Sequence, residues 1–143
     1  MNIPKTSDEL KNEFYSSIDL IDKIGDLRIR QLTDKLNSVS DEIIVKGIIK
    51  IFENTGRPKN HYTDQKYAGK ILTELKPKTD IDLNIILKST VGNWNKSVEE
   101  FPFWLKENYG IDLLKSKLTE FETKNLTELE SDKLITMKWW LKI

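Results

Sequence analysis

From Asp41 onward the chain reads DEIIVKGIIKIF, and its polar residues Glu42, Lys46 and Lys50 recur at every fourth position among aliphatics. A strand would alternate with period two, whereas a spacing of four belongs to a helix. Such a helix carries Ile43, Ile44, Val45, Ile48, Ile49, Ile51 and Phe52 around most of its circumference. Neighbours must therefore cover it on several sides, leaving the polar stripe as its wet edge. The acid-first, lysine-last order also suits the helix dipole and the favourable Glu-to-Lys pairing. A chain containing this segment has to build a multi-helix core around it.

The pattern returns 38 residues later as Asp80, Asn84 and Lys88, set among Ile81, Leu83, Ile85, Ile86 and Leu87. The segments in front of the two stripes echo each other as well: Ile29, Leu32 and Leu36 correspond to Ala68, Ile71 and Leu75, offset by 39. A shorter third unit fits Phe101, Trp104 and Leu105, followed by Leu113, Leu114 and Leu118, with Asp112, Ser116 and Glu120 as its stripe. A period of this size is how helix-pair repeats look in sequence. Over about residues 27–123 the chain resembles the HEAT-like family of α-helical repeats, most closely in LRIRQLTDKLNSVSDEIIVKGIIKIF, with Lys46 and Gly47 matching the inner-helix signature in part. The resemblance implies a short, curved, right-handed stack of antiparallel helix pairs whose inner helices line a concave face. It implies no particular activity.

Caps and breakers divide the chain into about eight helices in one all-α domain, 1–143. Ser7 is the expected cap of the first, which Gly25 stops. The second fits Leu27 to Leu36. Ser40 caps the third, from Asp41 to Glu53 before Gly56. Thr63 opens a fourth closed by Pro77, and Thr79 a fifth closed near Gly92. Ser97 with Glu100 reads as a capping box for a sixth that ends at Gly110. Pro102, one turn in, should kink that helix or shift its start. Residues 112–123 and roughly 126–142 supply the rest.

A length of 143 residues supports a core without staples. Charges balance at 23 basic and 23 acidic, so no global field draws the chain to nucleic acid or an anionic membrane. Arg28, Arg30 and Arg57 are the only arginines; the other cations are strongly hydrated lysines, which suit a solubilising surface. With no cysteine, disulfides, thiolate metal sites and cysteine nucleophiles are excluded. The start MNIPKTSDELKNEF lacks the pattern of a signal peptide, and no apolar run reaches the roughly 20 residues of a membrane span. The expected compartment is the cytoplasm.

Function is less legible. No zinc-protease, hydrolase-elbow, phosphate-loop or dinucleotide motif occurs, and neighbouring carboxylates such as Glu99–Glu100 or Glu128–Glu130 point in different directions on a helix. No catalytic residue, metal or cofactor is implied, and the lone His61 has no identifiable partner. The expected function is a non-enzymatic protein-interaction module. Its contact residues are Lys46, Lys50, Asn84 and Lys88 on the inner-helix face, with Arg57, Lys59 and Tyr62 at the rim. The bland alternatives are solvated helix edges and an ordinary turn across Thr55–Tyr62. Residues 57–96 carry eight basic and four acidic side chains, a local +4, so the alternative function is nucleic-acid binding through this segment. Among the aromatics, Phe101 and Trp104 share a face with Leu105, which points to core filling; the same group (Trp94, Phe101, Phe103, Trp104, Tyr109) would otherwise serve as a stacking platform or peptide pocket. Trp139 and Trp140 cannot both point inward, so one should be exposed and available to another subunit.

Overall fold

The computed structural model describes residues 1–53 and 56–143. Nine helices form among them and no strand: α1 (Ser7–Asp19), α2 (Ile21–Ile24), α3 (Leu27–Leu36), α4 (Asp41–Phe52), α5 (His61–Leu75), α6 (Leu83–Thr90), α7 (Glu100–Tyr109), α8 (Ile111–Glu122) and α9 (Glu128–Leu141). The all-α class and the count of about eight follow the periodicity.

Several boundaries differ from the expected ones, each for a local reason. The cap of α1 is Thr6, whose hydroxyl accepts the Glu9 N–H at 3.1 Å, not Ser7. The first helix also breaks at Leu20, giving the short α2 before Gly25 ends it at φ 66°. Helix α5 begins at His61 rather than Thr63, because a 3-10 turn at Pro58–Asn60 leads into it. Helix α6 starts at Leu83, capped by the Asp82 carboxylate at 2.8 Å, so Asp80 and Ile81 lie outside it. Thr79 is engaged elsewhere: its N–H donates to Asn108 Oδ1 at 3.2 Å, and Asn108 Nδ2 donates to its carbonyl at 2.9 Å. These bonds pin the segment before α6 to α7.

Ser97 and Glu100 form no capping box. The Ser97 N–H donates to Asn95 Oδ1 at 2.9 Å, and the helix starts only at Glu100. Pro102 thereby falls in the first turn, where a missing N–H costs no helical bond, and α7 needs no kink. The true box is Thr127 with Glu130, which opens α9.

One apolar cluster runs from Leu10 and Phe14 of α1 through α3, α4, α5 and α6 to Leu134 and Met137 of α9. Helix α4 sits at its centre, with Ile44, Val45, Ile48, Ile51 and Phe52 buried against α1, α5 and α6. Each such side chain contributes about 1.5–3 kcal/mol relative to exposure. Helix α5 packs on α7, and α7 on α8 and α9. Phe52 stacks on Phe101 at 4.4 Å between ring centroids, joining α4 to α7. Two glycines set the closest approaches. A Cβ on Gly47 would lie 3.0 Å from Leu10 Cδ2, and one on Gly69 would lie 3.0 Å from Glu100 Cβ and 3.1 Å from Val98 Cγ1. Helix α6 differs from α4: it buries Leu83, Ile86 and Leu87 but leaves Ile85 in water.

Candidate interaction surface

The inner-helix residues fall into two groups. Lys46 is exposed and pairs with Glu42 at 2.8 Å. Lys50 reaches across to α1, donating to Asp8 Oδ1 at 2.7 Å and Ser7 Oγ at 2.9 Å. That hydrogen bond, reinforced by the lysine charge, holds the Asp8 carboxyl below its usual range. Asn84 stands in the first turn of α6, its N–H on the Asp82 cap. Lys88 is exposed, and its side chain makes no hydrogen bond or ion pair among the described residues. The same is true of Lys59 and Tyr62 on the rim. Thr55 lies outside the described residues.

Arg57 is a structural tie. Its Nε donates to Asp64 Oδ2 at 2.9 Å and its Nη2 to Asp64 Oδ1 at 3.1 Å. Nη1 and Nη2 also reach the Asp19 carboxylate, at 3.2 and 2.8 Å. The guanidinium lies 4.4 Å from the centroid of the Tyr15 ring. These hydrogen bonds to Asp64 and Asp19 raise the Arg57 pKa further, and the bond from Arg57 lowers that of Asp19. Asp64 has no exposed surface, and burial pushes its carboxyl up despite the arginine. Burial likewise raises the Tyr15 phenol, helped by the Asp64 charge. One arginine thus holds together the end of α1, the loop after α4 and the start of α5.

His61, which has no identifiable partner in the sequence, belongs to a second tie. One of its ring nitrogens, Nε2, meets the Asn93 carbonyl and lies 3.0 Å from Gln65 Nε2. The fully buried Gln65 donates to Asn93 O at 2.8 Å and accepts the Asn95 N–H at 2.7 Å. Asn93 Nδ2 in turn donates to Glu53 O at 2.9 Å. This network fastens the α6–α7 loop to α5 and to the end of α4. Among the described residues no group of three or more His, Asp and Glu side chains could hold a metal ion.

The aromatic group divides between core and surface. Trp94, Phe101 and Trp104 are buried. The indoles of Trp94 and Trp104 donate to Val98 O at 3.0 Å and Pro77 O at 2.9 Å. Tyr109 donates its hydroxyl to Ile81 O, and burial pushes its phenol up to about 12. Phe103 is 39% exposed. The spacing that puts Phe101, Trp104 and Leu105 on one face of α7 leaves Phe103 on the other, and that signal was present in the sequence.

Helix α9 is apolar on two sides. Leu134, Met137 and Leu141 enter the core, while Ile135 and Trp139 stand 66% and 68% exposed on the outside. Trp140 is half-buried, its indole N–H bonded to Lys96 O at 2.8 Å. One of the paired tryptophans is therefore exposed, as expected from their adjacency. Trp139 lies 4.8 Å from Trp140, and Trp140 lies 6.4 Å from Phe103, centroid to centroid. The result is a continuous aromatic surface across α7 and α9.

Phe103 also borders a groove of about 330 Å³ between α5 and α7. Leu72, Phe103 and Trp104 supply its apolar lining; Glu99, Glu100, Glu107 and Lys76 supply its charges. No helix among the described residues is long and apolar enough to cross a membrane. The fold and this surface define an all-α domain with a solvent-facing aromatic patch. No family model, no curated protein and no solved structure matches the chain.

Proposed function

We propose that this chain is a non-enzymatic protein-interaction module, binding through the aromatic surface of α7 and α9. The observation that carries the reading is the outward-facing Ile135 and Trp139 on a helix whose other side is already buried. Contiguous exposed apolar surface is characteristic of protein contacts, and tryptophan is enriched among the residues that dominate them. Within the set expected from sequence, Lys88, Lys59 and Tyr62 remain available for contact, whereas Lys50 and Arg57 are engaged in internal ion pairs. Nucleic-acid binding through 57–96 loses its strongest phosphate ligand for the same reason: Arg57 is the one arginine of that segment.

A photo-reactive amino acid at position 139 tests the reading, with the same group at exposed Gln31 on α3 as the control. The expected result is a protein adduct at 139, insensitive to nuclease and missing at 31, that binds the purified chain directly. Adducts to nucleic acid alone, or equal labelling at both positions, would overturn it.

A further inference from the structure

We infer that the groove between α5 and α7 docks a basic segment of a protein partner, one carrying an arginine or lysine beside an apolar anchor. The inference rests on the protein-binding reading above and adds the chemistry of what binds.

Charge complementarity selects the occupant. Glu99, Glu100 and Glu107 make no side-chain ion pair or hydrogen bond among the described residues, while Asp8, Asp19, Glu42, Asp64, Glu122 and Asp132 are all paired with cations. Among the residues lining the groove Lys76 is the one cation, so three carboxylates face one ammonium in a chain whose overall charge is zero. An acidic peptide or a nucleic-acid backbone would be repelled there, and a basic one steered in.

The arrangement also suits the shape of a basic side chain. Phe103 follows Glu99 by four residues and Glu100 by three, and precedes Glu107 by four. These spacings place it between carboxylates on one face of α7. Arginine and lysine carry an apolar stem below a charged head. The stem would lie along Phe103 and Trp104 while the head meets a carboxylate, and the exposed Phe103 ring adds a cation–π surface. Beyond Phe103 lies the Trp140–Trp139 patch, where Lys142 is exposed and Lys138 is paired with Glu122. An apolar anchor fits that end. The surface is thus polarised, acidic at the groove and apolar at α9.

The test uses the full chain and a short labelled peptide in which two arginines stand beside a leucine pair on one side only. Two companions replace its arginines by glutamate, or its leucines by serine. Anisotropy should show the arginine peptide binding at least about tenfold more tightly than either companion, a difference of 1.4 kcal/mol. Its affinity should fall with salt, and its resonance shifts should centre on Thr73, Phe103 and Trp140. The triple variant E99Q/E100Q/E107Q, isosteric at each position, should lose about tenfold and flatten the salt dependence. Equal binding of the glutamate peptide, no binding of the arginine peptide at millimolar concentration, or an unchanged triple variant would each overturn the inference. If that variant fails to fold, the peptide series on the unaltered chain still decides. A partner captured at position 139 that binds the triple variant as well as the unaltered chain overturns the groove inference while leaving the protein-binding reading intact. No capture at 139 removes that reading itself.

Discussion

Helices α4 and α9 are both rich in large apolar residues, yet they end in different environments. Around α4 every large aliphatic is buried or half-buried, and its lysines are paired, Lys46 with Glu42 and Lys50 with Asp8. Helix α9 buries Leu134, Met137 and Leu141 and leaves Ile135 and Trp139 in water. The difference follows from position. Helix α4 is enclosed by α1, α5 and α6, whereas α9 touches α7 and α8 on one side only among the main contacts. A surplus of apolar surface where neighbours run out is what a binding helix presents, and what a structural helix avoids.

The largest effects are expected near α4. Arg57→Leu deprives buried Asp64 of its guanidinium partner, and stability should fall by about 3–5 kcal/mol, read from urea denaturation. Asp19→Asn, at the exposed end of the same tie, should cost no more than about 1 kcal/mol. Equal losses would show that the buried carboxylate is not the critical partner. Next in size, Gly47→Val forces a branched side chain against the fully buried Leu10, whose Cδ2 and Cβ would lie 3.0 and 3.3 Å from the new Cβ, and should cost about 1–3 kcal/mol; thermal melting measures it.

Tyr109 gives a smaller, pH-dependent effect. Its folded pKa, pushed up to about 12, exceeds its ordinary 10.0. The folded state therefore holds the phenolic proton more tightly, and this contribution is fully present below pH 10 and lost as pH rises toward about 12. Urea midpoints should decline through that window in the unaltered chain and decline less in Tyr109→Phe. Losing the hydroxyl that serves Ile81 O should itself cost about 0.5–1.5 kcal/mol at neutral pH. Smallest of all, Trp139→Lys and Ile135→Lys should change stability by less than about 0.5 kcal/mol while abolishing partner capture. A large loss of stability in either would place α9's outer face in the core and erase the contrast with α4.

Helical spacing carried most of the architecture. The stripe Glu42–Lys46–Lys50 marked α4 and its wet edge, and Ser40 capped it as expected, with its hydroxyl accepting the Ile43 N–H. In α6 the pattern runs beyond the helix: Asp80 and Ile81 continue it, but Thr79 is held by Asn108 and the helix starts only after Asp82. Two segments, Ser97–Glu100 and Thr127–Glu130, have the spacing of a capping box, and only the second forms one. At the first, Asn95 captures the Ser97 N–H, a bond that no spacing rule foresees. Arg57 and His61 show a similar divide: both stood out by residue type, and only the fold reveals that their partners are Asp19, Asp64, Gln65 and Asn93.

By itself the sequence determined the all-α class, the buried character of α4 and the exposure of one tryptophan at 139–140, because helical periodicity and the angle between adjacent side chains are local properties. Tertiary structure decided which cations are engaged internally, and that Phe103 meets Trp140 beside three carboxylates with no side-chain partner among the described residues. Those outcomes depend on which helices pack together. Contacts between α5, α7 and α9 join residues far apart in the chain, and no local pattern encodes that pairing.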